Sequence, residues 1–309
     1  MTNPCTYCIY RYIQYVHTKR EGSEMIEIKG VSKRLESFEL ENIHIELPEG
    51  YIMGLIGPNG SGKTTLINLI LGLYKAEKGE ILVFEKNYNE DEKAIHEEIG
   101  YVLQEKLFED YLTLEENGNH YGKYYKKYKA EKFLELLNRF GLDPAKRYKT
   151  LSKGQELKFQ FAFAMAHDPK LLILDEPTGN FDPDFREQFL TMLKDFIADG
   201  RHSVLLATHI TDDLDRMADY ITYLENGKQL FCMDIESLHD TYRLVTGEAY
   251  KLRLLPKEDM IYMEEGAYTS KALIKYYARR PYDKELTLTL PTMEELMYFI
   301  TKRKKNVAV

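Results

Sequence analysis

The sequence predicts an α/β fold on a mainly parallel sheet, and three observations carry that prediction. Short apolar runs (Tyr51–Ile56, Tyr101–Leu103, Leu171–Leu174 and Val204–Thr208) are separated by stretches with room for helices, Thr64–Tyr74 being one. That is the pattern of buried parallel strands joined by crossover helices. A glycine-rich loop joins the first run directly to a helix. Two carboxylates close the third run, where the C-terminal ends of the strands of an open α/β sheet form its ligand crevice.

With 309 residues the chain has room for two domains, or for one large domain with an appendage. Its 44 % hydrophobic and 30 % charged residues are ordinary for a globular protein. A membrane span needs roughly 20 mostly apolar residues. The longest stretch without Asp, Glu, Lys or Arg runs from Gly50 to Gly62 and is half glycine and polar residues, so any membrane role is expected to be peripheral. The opening residues show neither the apolar run nor the cleavage site of a secretory signal. A net charge of −8 argues against a nucleic-acid partner, which usually meets a basic face. Cys5, Cys8 and Cys232 fit a reducing compartment. Cys5 and Cys8, with His17 nearby, fall short of the four ligands of a structural zinc site.

Residues 1–24 are rich in tyrosine and lack a period, and Met25 follows them. We expect Met25 to be the natural start and residues 1–24 a loose extension. MIEIKGVSKR and FELENIHIELPEG alternate as strands, with a turn at Pro48–Gly50. A polar region rich in Tyr and Lys, expected to be helical, fills 112–140. Leu157–Met165 alternates like a strand, but its alanines and the polar residues before it favour a helix. Beyond Phe231, Lys251–Leu255 and Leu286–Leu290 read as strands and Met293–Ile300 as a short amphipathic helix.

Gly57-Pro58-Asn59-Gly60-Ser61-Gly62-Lys63-Thr64 matches the phosphate-loop pattern G-x-x-x-x-G-K-[ST] in full, between an apolar strand and a helix as the pattern requires. Glycines let the backbone curl until several N–H groups face phosphate oxygens. The helix that follows presents its positive end to the same anion. Lys63 reaches the β- and γ-phosphates as a mobile point charge. The Thr64 hydroxyl is the expected Mg²⁺ ligand, and Thr65 is grouped with the phosphate-binding residues.

Asp175 and Glu176 end the run Leu171–Leu174. Asp175 is placed to hold the hydration shell of Mg²⁺. Glu176, on the other side of the strand by alternation, is the candidate general base for an attacking water. His209 follows the strand Val204–Thr208 and is expected at the same sheet edge, facing the γ-phosphate. Gln104 follows Tyr101–Leu103 and is expected to reach the water or the metal.

In this order and spacing, the chain resembles the ATP-binding subunits of ABC transporters over about 26–230, some two-thirds of its length. Leu151-Ser152-Lys153-Gly154-Gln155 resembles the family signature LSGGQ, with Lys153 in place of the first glycine. Gln104 matches the glutamine of the Q-loop, Asp182 the aspartate of the D-loop, and His209 the switch histidine. The resemblance implies a P-loop NTPase of ABC type. It would carry an antiparallel β subdomain, a helical subdomain at about 105–168 and a small α+β extension over 231–309. It also implies a head-to-tail dimer in which Ser152, Gly154 and Gln155 of one subunit, with Asp182 near the interface, close over ATP on the other. Adenine would stack near Leu35 or Phe38. A tyrosine-rich run, Tyr121–Tyr128, either lines the groove for a permease helix or is an exposed helix.

Pro291–Met297 is similar to the closing segment of ABC-2-type export subunits. The implied function is an ATPase, using ATP and Mg²⁺, that powers a transporter, most closely an exporter. Its partners would be a separate membrane permease and a second ATP-binding subunit, identical or not, on the cytoplasmic face of the membrane. The alternative is a non-transport ABC ATPase acting on nucleic acid or ribosomes. Against it stand the acidic balance, a single cassette, and too little length between Gly57 and Leu151 for a long coiled coil. A purely regulatory module would be expected to lack Glu176 or His209.

Overall fold

Backbone pairing in the computed structural model is described for residues 23–307, with side chains through 303. Nearly all of the expected 1–24 extension, with Cys5, Cys8 and His17, lies outside the described residues. β1 (Glu24–Leu35) and β2 (Phe38–Pro48) alternate buried and exposed side chains and pair antiparallel across a two-residue turn. On its other side β1 pairs antiparallel with β4 (Lys78–Val83). These three strands form the expected antiparallel subdomain.

β3 (Ile52–Ile56), β6 (Leu171–Asp175) and β7 (Ser203–Ala207) are buried at every residue, and β5 (Ile99–Val102) nearly so. Strands covered on both faces read as continuous apolar runs rather than alternating ones, which is why these were conspicuous in the sequence. They pair in parallel, with Ile52 opposite Val204, Leu171 opposite Ser203 and Ile99 opposite Leu171. This register brings the C-terminal ends of β3, β5 and β6 to one edge. With β8 (Tyr220–Glu225) and β9 (Lys228–Asp234), the sheet among the described residues runs β4-β1-β2-β9-β8-β3-β7-β6-β5.

The helical part follows β5, and α1 and α2 (Lys63–Ile70 and Tyr88–Glu97) come before it. α3 (Leu114–Gly122) starts at a reciprocal cap between Thr113 and Glu116. α4 (Ala130–Arg139) and α5 (Lys153–Ala166) follow. Leu157–Met165 is therefore helical, and its strand-like alternation comes from burial all round. Phe159 packs on Phe108 and Phe133 (4.7 and 5.6 Å between ring centres), while Phe161 faces Phe189 at 4.7 Å. The Tyr121–Tyr128 run is not one helix. α3 ends at Gly122, Tyr125 stacks on His167 at 4.1 Å, Tyr128 lies against Phe163, and Tyr124 is 63 % exposed.

The chain divides into two compact units. The first extends to Thr208 and includes Thr222–Cys232; the second consists of His209–Ile221 and everything from Met233 on. A linear boundary at 230 leaves His209–Ile221 in the first unit, whereas its packing belongs to the second. α6 (Pro183–Ile197) belongs to the first unit, and α7 (Thr211–Met217) to the second.

The second unit also holds α8 (Ile235–Thr241), β10 (Tyr242–Gly247), β11 (Met260–Glu264), β12 (Ser270–Lys275) and β13 (Thr287–Thr289). Its antiparallel sheet runs β11-β12-β10-β13 among the described residues. Lys251–Leu255 is not a strand: α9 (Ala249–Leu252) covers its start. Leu252 and Leu255, three apart, both pack on the core of this unit, while Leu254 is 79 % exposed. That is a helical spacing, not a strand's. The expected strand Leu286–Leu290 contains β13. The helix expected at Met293–Ile300 is α10 (Met293–Val307), which buries Met293, Leu296 and Phe299.

Candidate nucleotide site

The loop after β3 enters α1 through Gly62, whose φ is +109° and which offers no side-chain cap; the first turn carries no acidic residue. The N–H groups of that turn have no side chain competing for them, as an anion site requires. A Cβ at Gly62 would lie 2.7 Å from Phe38 Cζ and 2.8 Å from Leu40 Cδ1. Only glycine permits both this left-handed backbone and the close approach of β2 beneath it.

Lys63 is 6 % exposed. Its Nζ donates to the Gly57 carbonyl at 2.8 Å and lies 3.6 Å from Glu176 Oε1. Thr64 Oγ1 donates to Asp175 Oδ2 at 2.9 Å. Burial pushes the Asp175 carboxyl above the usual range; the neighbouring Glu176 adds to this, while Thr64 and Lys63 oppose it.

Glu176 departs from the strand geometry expected of it. Its φ is +50°, so the turn rather than the pleat sets its direction. A left-handed non-glycine residue stores strain of order 1–3 kcal/mol. Here it is held by its own N–H on the Ala207 carbonyl (2.8 Å). Gln104 adds to the hold: its Nε2 donates to the Asp175 and Glu176 carbonyls at 3.1 and 2.8 Å.

These groups share a pocket of about 420 Å³, large enough for a nucleotide. Its lining includes Asn59 through Thr65, Gln104, Asp175 and Glu176. Leu35 and Phe38 both line it, facing each other across the β1–β2 turn, so the two adenine candidates are two sides of one wall. Asn68, Leu103 and Glu105 line it as well and were missed. Asn68 sits four residues after Thr64, on the same helix face, and the other two flank Gln104; those spacings were the available signal.

The donor set fits Mg²⁺. Thr64 offers a hydroxyl, Asp175 a carboxylate and Gln104 an amide oxygen, the hard oxygen ligands that this cation takes directly or through water. Asp175 Oδ1 and Ser61 Oγ are buried without a hydrogen-bond partner, an arrangement that a hydrated cation and a phosphate would satisfy.

The signature residues stand at the start of α5. Ser152 caps the helix: its Oγ accepts from the Gln155 N–H (3.3 Å), and Gln155 Oε1 accepts from the Ser152 N–H (3.2 Å). Gln155 Oε1 also receives Lys146 Nζ at 3.2 Å, so this side chain is committed to the cap. The Ser-x-x-Gln spacing was a sequence signal for that role. A Cβ at Gly154 would lie 2.4 Å from the Asn180 carbonyl, so glycine is required there by the chain that follows β6. Asp182 caps α6 through the Phe185 N–H (2.9 Å) and pairs with Lys158 of α5 at 3.0 Å. Those two contacts, the Phe185 N–H first, hold its carboxyl below the usual range. His209 follows the last residue of β7 by two positions and is exposed.

A family model described as ABC transporter matches residues 40–179. The uncharacterized ABC transporter ATP-binding protein YdbJ of Bacillus subtilis is 35 % identical over 66 % of this chain and 67 % of its own length. The sulfate/thiosulfate import ATP-binding protein CysA of Bacillus cereus is 34 % identical over 66 % of this chain and 59 % of its own. Among solved structures, the dimeric post-hydrolysis state of the ATP-binding cassette MJ0796, bound to ADP and Pi, superposes with a TM-score of 0.61. It is 26 % identical, over 68 % of this chain and 99 % of that one. This chain belongs to the ATP-binding subunits of ABC transporters. It is an ABC ATPase.

Proposed function

We propose that the chain powers an ABC exporter by closing as a dimer over ATP and passing that closure to a separate membrane permease. The observation that carries the hydrolytic part is the buried Asp175 carboxylate, tied to Thr64 with one oxygen unpartnered beside the Lys63–Glu176 pair. Phosphate oxygens meet the N–H groups of the loop and Lys63 Nζ. Glu176 accepts a proton from the attacking water while Lys63 stays on the developing charge. Mg²⁺, when bound at Thr64, Asp175 and Gln104, neutralises charge on the β- and γ-oxygens.

Ser152 and Gly154 of one subunit meet the γ-phosphate held by the other, and His209 contacts the same group. Gln155 supports this from the helix cap, and Asp182 stands near the interface. Loss of the γ-phosphate removes the group that joins the subunits, and they part. Gln104 carries that change to the permease. Among the described residues no helix is long and apolar enough to cross a membrane, which suits a subunit bound at the cytoplasmic face. Export is favoured by the segment Pro291–Met297.

The test is capture from detergent-solubilised native membranes with the Glu176→Gln chain, with and without ATP. A multi-span membrane protein recovered only with ATP supports the proposal, and outward transport by that pair in inverted vesicles supports export. Recovery of ribosomes or DNA-bound proteins instead overturns the transport reading.

A further inference from the structure

One face of α5 grips the backbone on both sides of Gln104. Gln160 is 1 % exposed. Its Oε1 accepts from the Leu103 N–H at 2.8 Å and its Nε2 donates to the Glu105 carbonyl at 3.2 Å. Lys153 Nζ donates to the Gln104 carbonyl itself and lies 3.4 Å from Glu156 Oε2. Lys153, Glu156 and Gln160 stand at i, i+3 and i+7, one stripe of the helix. Three successive residues of the Q-loop are thereby fastened to the helix that Ser152 caps. Beyond them, the Gln104 amide is fastened to the Asp175 and Glu176 carbonyls.

We propose that Lys153 and Gln160 are positioning residues. They make α5 and Gln104 move together, so that a shift of the signature turn reaches the Asp175–Glu176 turn through the Q-loop. Lys153 stands where the family pattern has its first signature glycine, and a glycine has no side chain to reach Gln104. Gln160 could be explained by burial alone, since main-chain groups need partners. Lys153 could not: its side chain is 36 % exposed, so burial does not oblige its ammonium to find a protein partner. What distinguishes its position is the contact it makes. The inference rests on the reading of Gln104 as a working part of the site.

The experiment uses the full chain with Lys153→Met, Lys153→Arg, Gln160→Leu, Gln104→Ala and the double variant Lys153→Met/Gln104→Ala. Steady-state ATP hydrolysis is measured on each, and amide exchange by mass spectrometry on Gln160→Leu. Loss of a charge-assisted hydrogen bond corresponds to about 10-fold. Lys153→Met is therefore expected to lower kcat by about that factor with KM changed less than about 2-fold. Lys153→Arg restores most of it, and Lys153→Met adds nothing in the Gln104→Ala background. In Gln160→Leu the Leu103 amide exchanges about 10-fold faster.

Equal losses from Lys153→Met in the wild-type and Gln104→Ala backgrounds overturn the proposal, as does failure of Lys153→Arg to restore kcat. Unchanged exchange at Leu103 removes Gln160 from it. If Gln104→Ala alone has wild-type kcat, the underlying reading of Gln104 fails, and the inference fails with it for a separately visible reason.

Discussion

Asp175→Asn should make the nucleotide-free protein more stable while removing its activity. Asp175 is 3 % exposed, and Thr64 provides the hydrogen bond to its side chain. Its other oxygen is buried without a partner, and Glu176 is its neighbour. A buried polar atom without a partner costs about 1–3 kcal/mol, more when charged. Asparagine keeps an oxygen for Thr64 and removes the charge, though its Nδ2 inherits the unpartnered position and it gives up the attraction of Lys63. The expected net gain is about 1–2 kcal/mol. At roughly 2–4 °C per kcal/mol for a domain of this size, the melting temperature in EDTA should rise by roughly 2–8 °C. Turnover should fall on the order of 100-fold, since the carboxylate proposed to serve the metal is lost. The assay is calorimetry on both proteins in EDTA and again with ATP and Mg²⁺, where the wild type gains more from ligand. A variant that melts at or below the wild type in EDTA would refute the claim that Asp175 is held ready at a cost to the empty fold.

Three further outcomes are expected. Phe38→Ala should weaken binding of a fluorescent ATP analogue by roughly 10-fold, in line with stacking worth about 1–3 kcal/mol. Leu35→Ala should cost less; equal affinity in Phe38→Ala would move adenine elsewhere. Gly62→Ala should abolish nucleotide binding and lower stability by about 1–3 kcal/mol, because its backbone and the Phe38 ring both exclude a Cβ. Wild-type binding would show that the loop can re-form. Glu24 titrates near 7 rather than 4.5, through burial first and then the charges of Glu46, Glu27 and Glu85. Because the folded form holds the proton more tightly, its stabilising contribution is full below 4.5 and lost as pH rises to about 7. Glu24→Gln should therefore gain in melting temperature over the wild type from pH 5 to pH 8; parallel curves would contradict this.

Much of the candidate site was legible in the sequence. The phosphate loop is contiguous, and its glycines, lysine and threonine serve one local geometry. Asp175 and Glu176 were legible because a run buried on both faces must end at the edge of the sheet. Thr64 and Asp175, 111 residues apart, meet within one hydrogen bond, as the two patterns together required. The helix at Leu157–Met165 was legible only through its alanines and the polar residues before it, since burial on all sides leaves no helical period to read.

Other features depended on which surfaces meet. The sequence offered Leu35 or Phe38; pairing across a two-residue turn puts both on one wall. It allowed the Tyr121–Tyr128 run as a groove lining or an exposed helix; packing against Phe163 and His167 turns Tyr125 and Tyr128 inward and leaves Tyr124 exposed. Lys251–Leu255 alternates like a strand, yet the core of the second unit selects Leu252 and Leu255. The turn at Glu176 needs β7 beside β6, and the grip of Lys153 and Gln160 on the Q-loop needs α5 seated beside β5. What the sequence by itself determined is the set of candidate ligands, because residues suited to phosphate and metal are specified by type at short spacing. Only the tertiary structure decided how those ligands are held and linked, because side-chain contacts between distant segments depend on packing, which no local pattern encodes.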